Sequence, residues 1–387
     1  MKSDWVKLKL RDLADIKMGQ SPKSKYYNVD KIGLPFFQGC TEFSEFYPIV
    51  KKYCSKPTRI ANKGDILMSV RAPVGKLNIA KDECCIGRGL CAISPKNKGR
   101  FIYYLLKSNL LKIQSFSTGS TYQSINRKEV NSLTFHVPSL DNQKKITSVL
   151  TNYDNLIENN NRRIEILEEM AQRIYKEWFV DFKYPGHEND KLVDSELGMI
   201  PNNWEVMKVE DIIERIKPGK LYNKNTVEIE GSIPVLDQGR SGIIGFHNNE
   251  PGMKASISNP VIVFANHTCY QNLIFYPFSA IQNVLPFVPS SKNNRNIFWL
   301  HWTTKDIIKF NDYKGHWPEF ISKKITLPPD FLCHDFGNTI KDIVILKYRL
   351  ESKNKLLMKT RDYLLPKLIS GKVDVSDLDI NTDILND

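Results

Sequence analysis

Long apolar runs are missing from this 387-residue chain. None approaches the roughly 18 residues that cross a bilayer. The opening MKSDWVKLKL also lacks the apolar centre of a signal peptide, so a cytoplasmic location is expected. Cysteine is sparse and scattered: Cys40, Cys54, Cys84, Cys85, Cys91, Cys269 and Cys333 make an odd count with no C-x-x-C pair. That argues against a disulfide framework and a zinc site alike. No G-x-x-x-x-G-K-[ST] loop and no G-x-G-x-x-G turn occurs, so no nucleotide-driven motor is expected. Asn259-Pro260 runs on into Val261-Ile262, not into the Pro-aromatic pair that completes an amino-methyltransferase tetrapeptide. The seven histidines stand at no metal-ligand spacing. Neither catalytic residues nor a resident metal or cofactor is expected, and these absences together favour a binding protein.

Acidic residues are scarce in the first third. Residues 1–140 hold 24 basic and 10 acidic side chains, a net charge of +14, whereas residues 182–332 hold 16 of each. The tail from Val373 carries five acids and no base, and the whole chain is +12 with a pI near 9.1. Charge so concentrated implies a polyanionic partner for the first region.

What the chain does contain is one plan written twice. Trp5-Val-Lys-Leu-Lys-Leu-Arg-Asp-Leu13 restarts 199 residues later as Trp204-Glu-Val-Met-Lys-Val-Glu-Asp-Ile212. Gly19-Gln-Ser-Pro22 is answered by Pro218-Gly-Lys220, and Leu34-Pro-Phe-Phe-Gln-Gly39 by Ile233-Pro-Val-Leu-Asp-Gln-Gly239. Strand-like runs follow at Asp65–Val70 and Pro260–Ala265, then aromatic-rich helical segments at Phe101–Lys112 and Ile297–Lys309. The turns Gly119–Asn126 and Gly315–Ser322 close each copy. Such a repeat defines the architecture before any single element does.

Each copy then enters a long helical stretch. From Asp141 to Phe182, apolar residues step by four and three: Ile146, Leu150, Tyr153, Ile157, Asn160, Ile164, Leu167, Ala171, Ile174, Trp178. This is a coiled-coil seam broken only at Asn160. At about 1.5 Å per residue it predicts a rod of roughly 60 Å. The second stretch, Cys333–Lys372, offers Ile343, Leu346, Leu350, Lys353, Leu357, Thr360 and Leu364. Net charges of −2 and +5 favour pairing of the two helices with each other. Ile157, Asn160, Ile164, Leu167, Leu350, Leu357 and Leu364 on these helices are the expected subunit-interface residues.

The expected fold is thus α/β (α+β): two similar globular domains, 1–140 and 204–332, alternating with long helices at 141–182 and 333–372. A linker spans 183–203, and an acidic tail 373–387. Two globular units on a spacer suit a bipartite site on double-stranded DNA, since roughly 60 Å matches about 18 base pairs. Candidate readers in the first unit are Lys23, Lys25, Arg71, Lys76, Arg88, Tyr122 and Gln123. In the second they are Lys220, Arg240, Asn266, His267, Gln271, Asn283, His316 and Trp317. All are side-chain types that can pair with phosphates or base edges.

This order of signals resembles the specificity subunit of Type I restriction–modification systems, over Trp5 to about Val375. The resemblance rests on Leu156–Met170, Tyr175-Lys-Glu-Trp-Phe179, Arg361-Asp-Tyr-Leu-Leu-Pro-Lys-Leu-Ile-Ser-Gly371 and the turns Gly119–Ile125 and Gly315–Ile321. It departs from the family at Asp141-Asn-Gln and more loosely at His334-Asp-Phe-Gly337, where the start of the second helix is open. The resemblance implies two target-recognition domains and a pair of spacer helices packed as an antiparallel coiled coil. It implies a non-catalytic chain that binds two methyltransferase subunits, and restriction subunits where the host has them. S-adenosylmethionine, ATP and magnesium would belong to those partners. Two other readings stand beside it: the recognition part of a fused methylase–nuclease, and a coiled-coil adaptor that binds only protein.

Overall fold

Buried strands with no polar face explain how each copy folds. A computed structural model of the chain describes residues 5–97, 99–117, 123–239, 242–293, 295–310, 312 and 314–382. It divides into a unit of residues 1–158 with 354–387 and a unit of residues 159–353.

In the first unit Val6–Lys9 pairs antiparallel with Thr134–Val137, so the two ends of the copy meet. A four-stranded sheet follows, in the order Ala14–Met18, Leu90–Pro95, Ile66–Ser69 and Leu77–Ile79. Ile66–Ser69 is buried throughout. Its alternate residues serve two cores: Ile66 and Met68 join Cys91, Ile93 and the helix Phe101–Ser108. Leu67 faces the other way, with Leu90, Ala92 and Phe37. The period of two is therefore intact although both faces are apolar. A second sheet of short strands includes Leu34–Phe37 running parallel to Cys84–Ile86.

The second unit repeats this design. Glu205–Lys208 pairs with Lys324–Leu327, and the four-stranded sheet runs Ile213–Arg215, Val284–Pro289, Val261–Ala265, Gln271–Ile274. Ile262 and Phe264 join the core containing Trp299 and Phe320, while Val261 and Val263 face Ile274 and Phe278. Ile233–Leu236 runs parallel to Ser279–Ala280, as its counterpart does. The expected linker holds a hairpin, Leu192–Ser195 with Gly198–Pro201, and its Tyr184 and Ile200 are buried in this unit's core.

Two forty-residue helices follow the copies, at Leu140–Phe179 and Asp330–Ile369. The expected seam of the first helix is its less exposed face: Ile146, Leu150, Ile157, Asn160 and Ala171 are buried, and the other seam residues are half-buried. The second helix corrects the reading twice. It begins at Asp330, three residues early, because Pro328-Pro329 ends the preceding strand and Asp330 can open the first turn. Its seam also differs. Leu346 and Lys353 are exposed and Thr360 is bypassed, while Lys347, Asn354 and Arg361 turn inward between Ile343, Leu350, Leu357, Leu364 and Leu368. Hydropathy favoured Leu346, but polar residues with partners took the inner positions. Ile157, Asn160, Ile164, Leu167, Leu350, Leu357 and Leu364 are all buried or half-buried within the single chain. Within the chain they serve its internal packing.

Each unit contains parts of both helices. In the first, Ile146 and Leu150 pack with Leu365, Leu368 and Ile369. In the second, Phe179 and Phe336 meet edge to face at 5.0 Å. The acidic tail is docked on the first unit: Val375 is buried in its core, and Ser376 accepts at its carbonyl from Lys145 Nζ at 2.8 Å.

Candidate nucleic-acid interface

Glycines let five segments of the first unit converge beyond the ends of its parallel strands. Gly19 N–H donates to Leu90 O, Gly87 N–H to Phe37 O and Gly89 N–H to Gln38 O, at 2.9, 2.8 and 3.1 Å. A Cβ on Gly19 would lie 2.1 Å from Gly87 O, and one on Gly89 would lie 2.6 Å from Gln38 O. Only bare backbone fits this approach. Val70 N–H then donates to Gly89 O, Ile125 N–H to Val70 O, and Arg71 bridges to Ser124. The convergence leaves Gln38, Arg71, Arg88 and Gln123 exposed, with Gln38 and the Arg88 N–H bonded to Ser21 Oγ.

Of the residues expected here, Arg71, Arg88 and Gln123 come together, and Lys23 lies two residues beyond Ser21. Lys76 ends the Arg71–Lys76 loop, its N–H held by Ser69 Oγ at 2.8 Å. Lys25 sits to one side, its ammonium 5.3 Å from the centre of the Tyr26 ring, where Lys56 also approaches. Tyr122 lies outside the described residues. The sequence reading missed Gln38 and Ser21, although the repeated Gln-Gly at Gln38-Gly39 and Gln238-Gly239 was a visible signal.

The second unit places Gln238, Asn266, His267, Asn283 and Lys314 in the matching positions. Gln238 accepts His267 N–H at its side chain (2.8 Å) and Thr268 Oγ1 at its carbonyl (2.7 Å). Asn266 N–H donates to Asn283 O at 2.9 Å, and His267 Nδ1 lies 2.8 Å from Lys314 O. Lys220 is exposed over Tyr222, which stacks on His247. Arg240 lies outside the described residues.

Three expected readers face inward instead. His316 is wholly buried, with Nε2 3.0 Å from Asp312 O. Trp317 packs its ring on Phe264, Phe287 and Phe320. Gln271 is buried, and its amide donates to His301 O at 2.9 Å. These polar and aromatic residues brace the core because each finds a partner there. Asn266 also works as a brace, its amide oxygen accepting Trp317 N–H at 2.8 Å.

Charged hubs tie each globular part to the helices. In the first unit Arg361 bonds Asp154, Glu45 and Asp362, each at 2.9 Å, and Tyr104 Oη donates to Asp154 at 2.5 Å. Burial opposes the Arg361 charge, but the bonds to Asp362 and Asp154 more than restore it. In the second unit Glu168 accepts from Lys305 at 2.8 Å and Lys347 at 3.0 Å. Burial works against its ionisation, yet the two lysines hold it down at about 2. Beside them, burial and then Lys305 and Lys347 push His301 down to about 3, so its ring is neutral.

Burial pushes the Cys84, Cys91 and Cys333 thiols up to about 12, which keeps them protonated. Among the described residues no group of three His, Cys, Asp or Glu side chains is placed to hold a metal ion, and no helix is long and apolar enough to cross a membrane.

Comparison with known proteins shows what this chain is similar to. The model for the Type I restriction modification DNA specificity domain matches residues 2–169. The MjaIX specificity subunit of Methanocaldococcus jannaschii, a Type I restriction enzyme subunit, is 26% identical over 414 residues, covering 97% of this chain and 95% of that one. The putative MjaX specificity subunit of the same organism is 39% identical over 177 residues, covering 44% and 41%. The crystal structure of a Type I restriction–modification S subunit from M. genitalium shares the fold, with a TM-score of 0.63 at 17% identity over 95% of this chain and 97% of that one. Over 97% of its length the chain is thus similar to a Type I restriction enzyme specificity subunit, its residues 2–169 match the Type I restriction modification DNA specificity domain, and its fold is that of a Type I S subunit.

Proposed function

We propose that the chain is the DNA-reading, non-catalytic subunit of a Type I restriction–modification complex, with each unit reading one half of an interrupted, asymmetric target. The observation that carries this is the twofold occurrence, on one topology, of loops gathered beyond the ends of parallel strands, with exposed cationic side chains and amides that are exposed in the first unit and half-buried in the second. Cations there would hold phosphates, and the amides and guanidinium groups would face base edges. The excess of +14 in the first 140 residues supports a polyanion over a protein-only partner.

The two long helices are the proposed spacer, paired as an antiparallel coiled coil. Asp154 with Arg361, Glu168 with Lys347 and Phe179 with Phe336 support this pairing, since each later residue of the first helix meets an earlier one of the second. Methyltransferase subunits carrying S-adenosylmethionine, and restriction subunits carrying ATP and magnesium, would supply the chemistry.

The test is genome-wide adenine methylation in cells with and without the gene, the neighbouring methyltransferase being present in both. Loss of one two-part motif is expected; an unchanged methylome despite an expressed, active methyltransferase would overturn the reading. Exchanging the Arg71–Lys76 loop should then alter only one half of that motif.

A further inference from the structure

Resting on that reading, we infer that Gln38 and Gln238 are the paired base-reading amides of the two units, each suited to an adenine. They occupy the same place in the repeat, one immediately and one two residues beyond the strand that pairs in parallel within its unit. The offset comes from one extra residue, Asp237, at the irregular pairing near Leu236. Each is followed by a glycine, and a Cβ on Gly39 would meet nothing within 4 Å, so space is open beside Gln38.

Both amides are held in place before any DNA arrives. Ser21 Oγ holds the Gln38 amide at both atoms, accepting from Nε2 at 2.8 Å and donating to Oε1 at 3.0 Å, and it also accepts Arg88 N–H at 3.2 Å. A Cβ on Gly87 would come within 2.5 Å of Gln38 Oε1, so glycine there is what lets the side chain lie in this position. Gln238 is fixed differently, by His267 N–H on Oε1 at 2.8 Å. An amide has two N–H protons and two oxygen lone pairs, so Gln238 keeps a donor and an acceptor side by side, and Gln38 presents the same pair once a base takes the place of Ser21 Oγ on that edge. That pair matches N7 and the N6 amino group of adenine in the major groove. Exposed Arg88 and Lys23 in the first unit, and Lys314 in the second, stand close enough in sequence and bonding to anchor the backbone alongside.

The experiment is methylome sequencing of cells carrying the full complex with Gln38→Ala, Gln238→Ala or the near-isosteric Gln38→Glu. Loss of one bidentate pair should cost about ten- to hundred-fold in discrimination at one base pair. Gln38→Ala is expected to relax one position of one half-site and leave the other half intact, and Gln238→Ala to do the reverse. Gln38→Glu should replace adenine at that position, because a carboxylate cannot donate to N7. An unchanged motif in all three variants would overturn the inference. So would loss of all methylation by both Gln38 variants, which would mark Gln38 as a brace. The wild-type methylome comes first: without a two-part motif there, the family function fails before the amides are in question.

Discussion

The two units share a topology but solve the same structural problem with opposite charges. In the first, a buried cation on the second helix, Arg361, gathers carboxylates from the first helix and from the globular part. In the second, a carboxylate on the first helix, Glu168, gathers ammonium groups from the second helix and the globular part. Duplication preserved the meeting place while the residues meeting there diverged. Their depth differs too: Arg361 and Asp154 are 3% and 2% exposed, whereas Glu168 is 39% exposed. The first hub is therefore coupled to the core and the second to solvent.

The largest expected effect follows from that difference. Arg361→Ala would leave Asp154 buried without its cation, which costs about 3–5 kcal/mol. Urea unfolding should show it as a lower midpoint, and adding Asp154→Asn should recover a large part. Equal loss in the single and double variants would show that the hub is not a coupled pair. Lys305→Ala in the second unit should cost under about 1 kcal/mol, because Glu168 is partly solvated and keeps Lys347.

Acid separates the units next. Six of the seven histidines lie in the second unit, as do five of the six tryptophans. His301 is neutral in the fold with a pKa of about 3 and would titrate near 6.5 when unfolded, so its contribution is present above about 6.5 and is lost as pH falls toward 3. Glu168, held at about 2, has the same sign, and its contribution fades between about 4.5 and 2. Tryptophan fluorescence should therefore report acid unfolding of the second unit before circular dichroism completes its change. His301→Gln should move that first transition to lower pH; an unmoved transition would assign the acid sensitivity elsewhere.

The smallest effect is on the slope of DNA affinity against salt. Arg88→Ala should reduce its magnitude by about 0.9 if Arg88 holds one phosphate. Gln38→Ala should leave the slope alone, which separates a base-reading side chain from an anchoring one.

Reading the sequence located these units because their signals are local. The paired Trp5 and Trp204 starts and the buried strands around Ile66 and Ile262 follow from repeats and periodicity that need no tertiary knowledge. The candidate interface was less legible. Side-chain type chose Arg71, Arg88 and Gln123, which the fold exposes, but the same criterion chose Gln271, His316 and Trp317, which pack inward. Polar residues at a turn look alike in sequence whether they face water or a buried partner. Gln38 was overlooked because its importance comes from three distant glycines and Ser21 closing around it.

By itself the sequence determined the duplication, the uneven charge, the period-two sheets and the inner face of the first helix. Each arises from neighbours within a few residues, or from copies compared with each other. Only the tertiary structure decided which face of the second helix turns inward. There Lys347, Asn354 and Arg361 displace the more apolar Leu346. A buried charge is tolerated only where another segment supplies its counter-charge, and Asp154 and Glu168 lie some two hundred residues from the cations they hold.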